Sequence, residues 1–271
     1  MIDHIGKNMT ETMFQQLKQQ KDSFLYHSFE YVAYEEVQNY DVVYEDGNLI
    51  LIRGVHPTLG ISHIHFFTNT YDRFIQGITP YVDTLIEFVP KAWVHPLQKA
   101  GFTPYAEFRD YWVKEVQSLT DVVDYEVATI KDTEEIIQLT ESRKGSSRAF
   151  HGEKKEFIIN WILQQSEGVE DSNILVIKKN SIIRGALFVG LYGSHEKRTV
   201  WVRMVVVDHD FEGQGIGQTL LKQALYYGKQ RHAIRAFLMA DDLNHNAIHV
   251  YKKIGFKPDL TTEQINMITK K

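Results

Sequence analysis

The sequence predicts an α/β (α+β) protein of two domains, each a mixed, twisted β-sheet flanked by helices. Three observations carry this reading. An apolar run over residues 200–207 stops at a polar turn, three alternating glycines follow, and an amphipathic helix then starts with Leu220, Leu221, Ala224 and Leu225 on one face. A second strand-then-helix pattern occupies residues 234–254 and ends on Gly255-Phe256. Lys99-Ala100-Gly101-Phe102-Thr103-Pro104 echoes Lys253-Ile254-Gly255-Phe256-Lys257-Pro258, each time after a strand and a helix.

The elements follow in order. Strand-like runs lie at 41–44, 49–52, 64–67 and 84–89, with Glu45-Asp46-Gly47-Asn48 as a hairpin turn signal, and a helix is expected over 91–97. Residues 1–118 are assigned to the first domain and 119–271 to the second. The second domain opens with a strand at 125–130 and a helix at 132–141, with Asp132 as its N-cap. A helix at 155–165 gathers Phe157, Ile158, Trp161 and Ile162 on one face. Strands at 174–178 and 184–191 form a hairpin through Lys179-Asn180-Ser181. The core strand, glycine turn and helix come next, then a strand at 234–242. In the following helix, Ala247, Val250, Tyr251 and Ile254 share a face, with Gly255 as its C′ residue and Phe256 as an apolar lock. Residues 266–269 read as a final edge strand.

Composition bounds the function. At 271 residues two domains are a reasonable prior. A net charge of −5 argues against a dedicated nucleic-acid binder. No apolar run approaches membrane-spanning length, and the first residues hold no apolar signal core. The absence of cysteine excludes disulfides, a thiol nucleophile and a cysteine zinc site. A cytoplasmic protein without membrane or nucleic-acid partners, a monomer or homodimer, is the simple expectation.

The glycine turn presents backbone N–H groups at a helix N-terminus, which suits a phosphate. A Walker loop is absent, and Gln218 and Leu220 stand where a dinucleotide fingerprint needs its third glycine. A plain strand-to-helix turn is the bland alternative. Glu212-Gly213-Gln214-Gly215-Ile216-Gly217 resembles the pyrophosphate loop of the GNAT superfamily of N-acetyltransferases, Arg/Gln-x-x-Gly-x-Gly/Ala. It departs at Glu212, where Arg or Gln is usual; a solvated carboxylate there costs about 1 kcal/mol. Asn244, Ala247 and Tyr251, then Gly255-Phe256, resemble that superfamily's later signature, Asn-x-x-Ala-x-x-x-Tyr before Gly-Phe.

The resemblance implies transfer of an acetyl group from acetyl-CoA to a primary amine of a small-molecule or peptide acceptor, without a metal. It implies that Glu212, Gly213, Gln214, Gly215, Ile216, Gly217 and Gln218 hold the pyrophosphate. Val205, Val206 and Val207 pair with the pantetheine arm where parallel strands splay. A backbone N–H near Arg203 or Met204 polarises the thioester. Asn244 contacts the cosubstrate, and Tyr251 contacts it and donates a proton to sulfur. The first domain, lacking the glycine loop and carrying Leu97 where the second has Tyr251, reads as a diverged GNAT-like repeat that binds no cosubstrate. A degenerate acyl-CoA-binding module and a tandem-GNAT aminoacyl transferase are the alternatives.

The general base is not legible. Thr199 occupies the position near which many members carry Glu, and Glu196, Glu153, Asp241 and Asp242 are candidates that more often serve as surface charges. His245 and His249 have metal-pair spacing, but His249 is expected near the packed face. His63 and His65 are expected to share a strand face in a structural role. Arg203, a charge among valines, pairs either with an anionic acceptor or with a structural partner. The loops at 143–155 and 192–198 are expected to shape the acceptor surface.

Overall fold

The structure, a computed structural model, describes residues 6–269 except Tyr31, Thr58, Asp121, Ala149 and Glu167, so the first residues of the chain lie outside it. The chain forms two compact units, Met1–Glu107 with Glu263–Lys271, and Phe108–Thr262. The elements of the first are β1 (Lys7–Asn8), α1 (Glu11–Gln20), β2 (Tyr26–His27), α2 (Tyr34–Val37), β3 (Asp41–Asp46), β4 (Leu49–Val55), β5 (Ser62–Thr68), α3 (Tyr71–Ile78), β6 (Thr84–Val89), α4 (Lys91–Lys99) and the start of β7 (Phe102–Val113). The second holds the rest of β7, β8 (Glu126–Val127), α5 (Thr133–Ser142), α6 (Lys155–Ile162), β9 (Glu170–Lys179), β10 (Ile182–Tyr192), β11 (Thr199–Val207), α7 (Ile216–Gln230), β12 (Arg235–Asp241) and α8 (His245–Ile254). The last strand, β13 (Lys257–Thr269), returns to the first unit.

In the first unit the strand order is β1-β3-β4-β5-β6-β13. β4 and β5 are antiparallel, β5 and β6 parallel, and β6 and β13 antiparallel through Ile265↔Val89 and Met267↔Ile86. Residues alternate between sheet faces, so β4 sends Leu49 and Leu51 into one core with Phe66 and Phe74, and Ile50 and Ile52 into another with Phe14 and Phe67.

In the second unit the order is β7-β12-β11-β10-β9-β8. β9–β10 and β10–β11 are antiparallel, β11–β12 is parallel, and residues 108–113 of β7 pair antiparallel with β12. α7 and α8 cover one face, where Leu220, Leu221 and Ala224 pack on Leu187, Val200 and Val202. α5 and α6 cover the other, where Ile136, Ile158 and Trp161 meet Ile174, Phe188 and Val206. At the 9–10 hairpin Asn180 and Ser181 both take positive φ (52° and 64°), as a tight two-residue turn requires.

Several expectations change. The division falls after Glu107 rather than after residue 118, and the tail belongs to the first unit. The final strand spans Lys257–Thr269 and is no edge, since it lies between β6 and β7. The strand expected at 125–130 shrinks to β8, because Asp132 Oδ2 accepts from the Thr129 N–H at 2.7 Å and turns the chain. α6 ends at Ile162 because Gln164 adopts φ of 60°. Gly101 and Gly255 both take left-handed φ (93° and 109°), and the phenylalanines after them are buried.

Candidate functional site

Two irregularities open the second unit's sheet. Parallel pairing of β11 with β12 is recorded from Thr199↔Arg235 to Trp201↔Phe237, although both strands run on. On the other side of β11, Phe188 pairs with Met204 and Val189 with Val202, which leaves Arg203 as the extra residue of a bulge. Both lie at the level where a thioester is expected to enter. Beyond them a cleft of about 520 Å³ is lined by Val205, Val206, Val207, Glu212, Gly213, Gly215, Ile216, Gly217, Gln218, Asn244 and Tyr251.

The turn that carries the glycines is fixed from below. Arg184 pairs with Asp208 at 2.6 Å and stacks over Phe211, and Asp208 Oδ1 accepts from the Asp210 N–H. Gly215 is the N-cap of α7, with φ of 80° and no side-chain cap. The N–H groups of the first turn are therefore left for an external acceptor, and α7, 15 residues long, adds its dipole. A Cβ built on Gly213 or Gly215 meets nothing within 4 Å, so the glycines border open space that a side chain would fill. These features fit a phosphate group.

The sequence-predicted residues mostly converge here. Val206 is buried and offers its backbone, while Val205 and Val207 are half-buried. Gln214 does not reach the cleft; its Nε2 donates weakly to the Asp210 carbonyl at 3.4 Å. Asn244 caps α8, its Oδ1 accepting from the Ala247 N–H at 3.2 Å, which leaves its amide nitrogen for a ligand. Tyr251 is half-buried between Tyr111 and Phe256, each 6.4 Å away by ring centroid. Burial, with Tyr111 nearby, pushes its phenol up to about 12. Its hydroxyl has no hydrogen-bond partner among the described residues.

Three of the four candidate carboxylates, Glu153, Asp241 and Asp242, are engaged, while Glu196 is exposed. Glu153 accepts from Arg203 at 2.6 Å, and the guanidinium stacks 4.1 Å from the Phe157 ring centroid. Arg203 thus has a structural partner. Asp241 is 4% exposed and is gripped by Arg148, with N–H···O distances of 2.9–3.1 Å at the backbone N–H and Nε. Burial raises its carboxyl, but the Arg148 and Leu243 hydrogen bonds outweigh that and hold it at about 2, too acidic to take a proton from an ammonium. Asp242 also pairs with Arg148. Thr199 is buried and its Oγ1 accepts from Arg235.

The loop between α5 and α6, expected to shape the acceptor surface, also walls the cleft beside the glycine turn. Arg143, Ser146 and Phe150 line the cleft, and Arg143 pairs with Glu212. The mismatch at Glu212 was the available signal, because an unusual anion beside a phosphate site calls for a cation. His249 lies on the exposed side of α8 and lines the cleft, contrary to the packed position expected from helical spacing. His63 and His65 are buried in the first unit, His63 Nδ1 meeting Tyr40 Oη at 3.0 Å and His65 Nδ1 meeting Ser28 Oγ at 3.2 Å.

Residues 134–256 match the model of the acetyltransferase (GNAT) family. An uncharacterized N-acetyltransferase of Methanocaldococcus jannaschii is 27% identical over 149 residues, which cover 53% of this chain and 64% of that protein. The chain thus spans less than two thirds of the length of this relative. A GNAT-family acetyltransferase from Colwellia psychrerythraea has the same fold over 98% of this chain and 99% of its own, with a TM-score of 0.60 at 12% identity. A GCN5-related N-acetyltransferase from Sphaerobacter thermophilus aligns over 81% of this chain and 79% of its own, with a TM-score of 0.51 at 13% identity. The family match over residues 134–256 and the relative with it support a GNAT-family acetyltransferase domain, and so an acyltransferase, in the second half of this chain.

Proposed function

We propose that the protein transfers an acetyl group from acetyl-CoA to a primary amine, in the second unit alone. The observation that carries this is the uncapped N-terminus of α7 beside open glycines, in a cleft lined by Val205 to Val207 of β11, past the last recorded β11–β12 pair. Acetyl-CoA supplies the acyl group as an activated thioester. The N–H groups from Gly213 to Gln218 grip its pyrophosphate, and the backbone of Val205 to Val207 guides its arm. Tyr251, protonated far above neutral pH, donates a hydrogen bond to the sulfur as negative charge develops there. Complete proton transfer to a thiolate of ordinary pKa, about 8.5, is uphill by roughly 5 kcal/mol, so donation of a hydrogen bond is the larger part of this role. With Glu153, Asp241 and Asp242 paired, the amine's proton leaves through solvent.

The first unit is read as a diverged copy of the same fold without a cosubstrate site. The sequence β3-β4-β5-α3-β6-α4 repeats β9-β10-β11-α7-β12-α8 in strand direction, with the parallel pair in the same place. The turn before its helix differs. Only Asn69 and Thr70 separate β5 from α3, and Thr70 accepts from the Arg73 N–H at 3.4 Å. That helix has a side-chain cap at its N-terminus, whereas α7 has none.

Calorimetry with acetyl-CoA, followed by thiol release over polyamines, aminoglycosides and peptides with free N-termini, tests the proposal. One equivalent bound per chain and turnover with an amine are expected. No binding would overturn it, and tight binding without turnover on the whole panel would leave a binding module.

A further inference from the structure

We propose that Arg143, from the end of α5, is the cation that reads the cosubstrate's pyrophosphate, with Glu212 as its positioning residue. This rests on the acetyl-CoA reading above. Among the described residues that line the cleft, Arg143 is the one arginine or lysine and Glu212 the one carboxylate. The two are paired, and Arg143 Nη1 also donates to His209 Nδ1 at 3.2 Å. A guanidinium has five N–H donors, so these contacts leave about three for an anion.

The geometry explains an acidic residue at the head of a phosphate loop. By itself Glu212 repels a phosphate. Paired, it holds a long cationic side chain that would otherwise lose rotamer freedom on binding. Arg143 follows the last turn of α5, where a cation is also favoured by that helix's dipole. The side chain is 21% exposed, open enough to meet a ligand and covered enough to escape full screening. Replacing Glu212 by Arg would then displace Arg143 and weaken binding, the reverse of what the loop sequence alone suggests.

The test compares Arg143→Gln, Arg143→Lys, Glu212→Gln and the double variant Arg143→Gln/Glu212→Gln, with acetyl-CoA, acetyl-dephospho-CoA and phosphate-free acetyl-pantetheine. Loss of one charge-assisted contact is worth about tenfold in affinity at a partly covered site. Arg143→Gln should raise KM for acetyl-CoA and acetyl-dephospho-CoA about tenfold, leave kcat close to wild type, and leave acetyl-pantetheine unchanged. Arg143→Lys should recover part of the loss. Glu212→Gln should weaken acetyl-CoA binding, and the double variant should be no worse than Arg143→Gln, because the second residue acts through the first. Unchanged affinity in Arg143→Gln, an equal loss with acetyl-pantetheine, a loss that vanishes with acetyl-dephospho-CoA, or tighter binding in Glu212→Gln would each overturn the assignment. Failure of the wild-type protein to bind acetyl-CoA would refute the parent reading together with it.

Discussion

Replacing Gly215 by alanine separates the fold's use of that glycine from the ligand's use. Gly215 holds φ of 80°, which costs an L-residue about 1–2 kcal/mol. Since an added Cβ meets no protein atom within 4 Å, this strain is the whole expected folding penalty. For a unit of this size it corresponds to a fall of about 2–8 °C in the melting temperature of the ligand-free protein. The methyl group would stand in the open space beside the N–H groups that face a phosphate. Losing one hydrogen bond to a charged acceptor, worth about 1.5–3 kcal/mol, predicts acetyl-CoA binding about 10- to 100-fold weaker. Gly217→Ala is the control. Its Cβ would touch Val207 Cγ2 at an ordinary 3.7 Å within the first turn of α7. Alanine there should stabilise the helix by about 0.5–1 kcal/mol. Differential scanning calorimetry and isothermal titration read both quantities. A Gly215→Ala protein that melts earlier yet binds acetyl-CoA like wild type would refute the reasoning, because the turn would then bring no backbone to the ligand.

Tyr251→Phe should lower kcat by roughly 10²-fold, with little change in cosubstrate affinity; an equal rate would reduce Tyr251 to packing. Because its phenol is raised to about 12, no loss of activity below pH 11 should trace to Tyr251. The stability that this phenol contributes should be complete below pH 10 and fade as pH rises toward 12, which alkaline denaturation of the Phe variant checks. His65, held well below its ordinary value by burial and then by His63, refuses a proton that the unfolded chain accepts. Stability should therefore fall as pH drops below about 6.5, and the gap between urea midpoints at pH 7.5 and 5.5 should narrow in His65→Gln; an unchanged gap would assign the acid sensitivity elsewhere. A fragment of residues 119–271 should aggregate, since it lacks the β7 partner of β12 and carries an orphaned β13; a soluble, fully active fragment would contradict this.

The parts of the molecule legible in the sequence were those with local physical causes. The core strand was placed within one residue because Asp208 interrupts a run of valines, and α7 was placed because glycines precede a 3.6-residue apolar repeat. Strand 84–89 was placed to the residue. What sequence could not show was pairing at a distance. Arg143 meets Glu212 across 69 residues, and Arg148 meets Asp241 across 93, with no periodicity to announce either. The boundary failed for the same reason: residues 108–113 continue a strand without a break, and only their partner β12 assigns them to the second unit.

The return of β13 to the first unit also orders the birth of the molecule. A ribosome finishes Glu107 and must then make the entire second unit before residues 263–269 can pair with β6. At about 5–20 residues per second this wait is on the order of ten seconds or more. Throughout it Leu85, Ile86 and Val89 sit on an open strand edge, the feature most prone to pairing with the wrong chain. The usual sequence, in which an N-terminal domain is complete before its successor begins, is closed to this protein. Its first unit is completed only after the second, and a premature stop that spared the second unit would leave the nascent protein without the strand that closes its beginning.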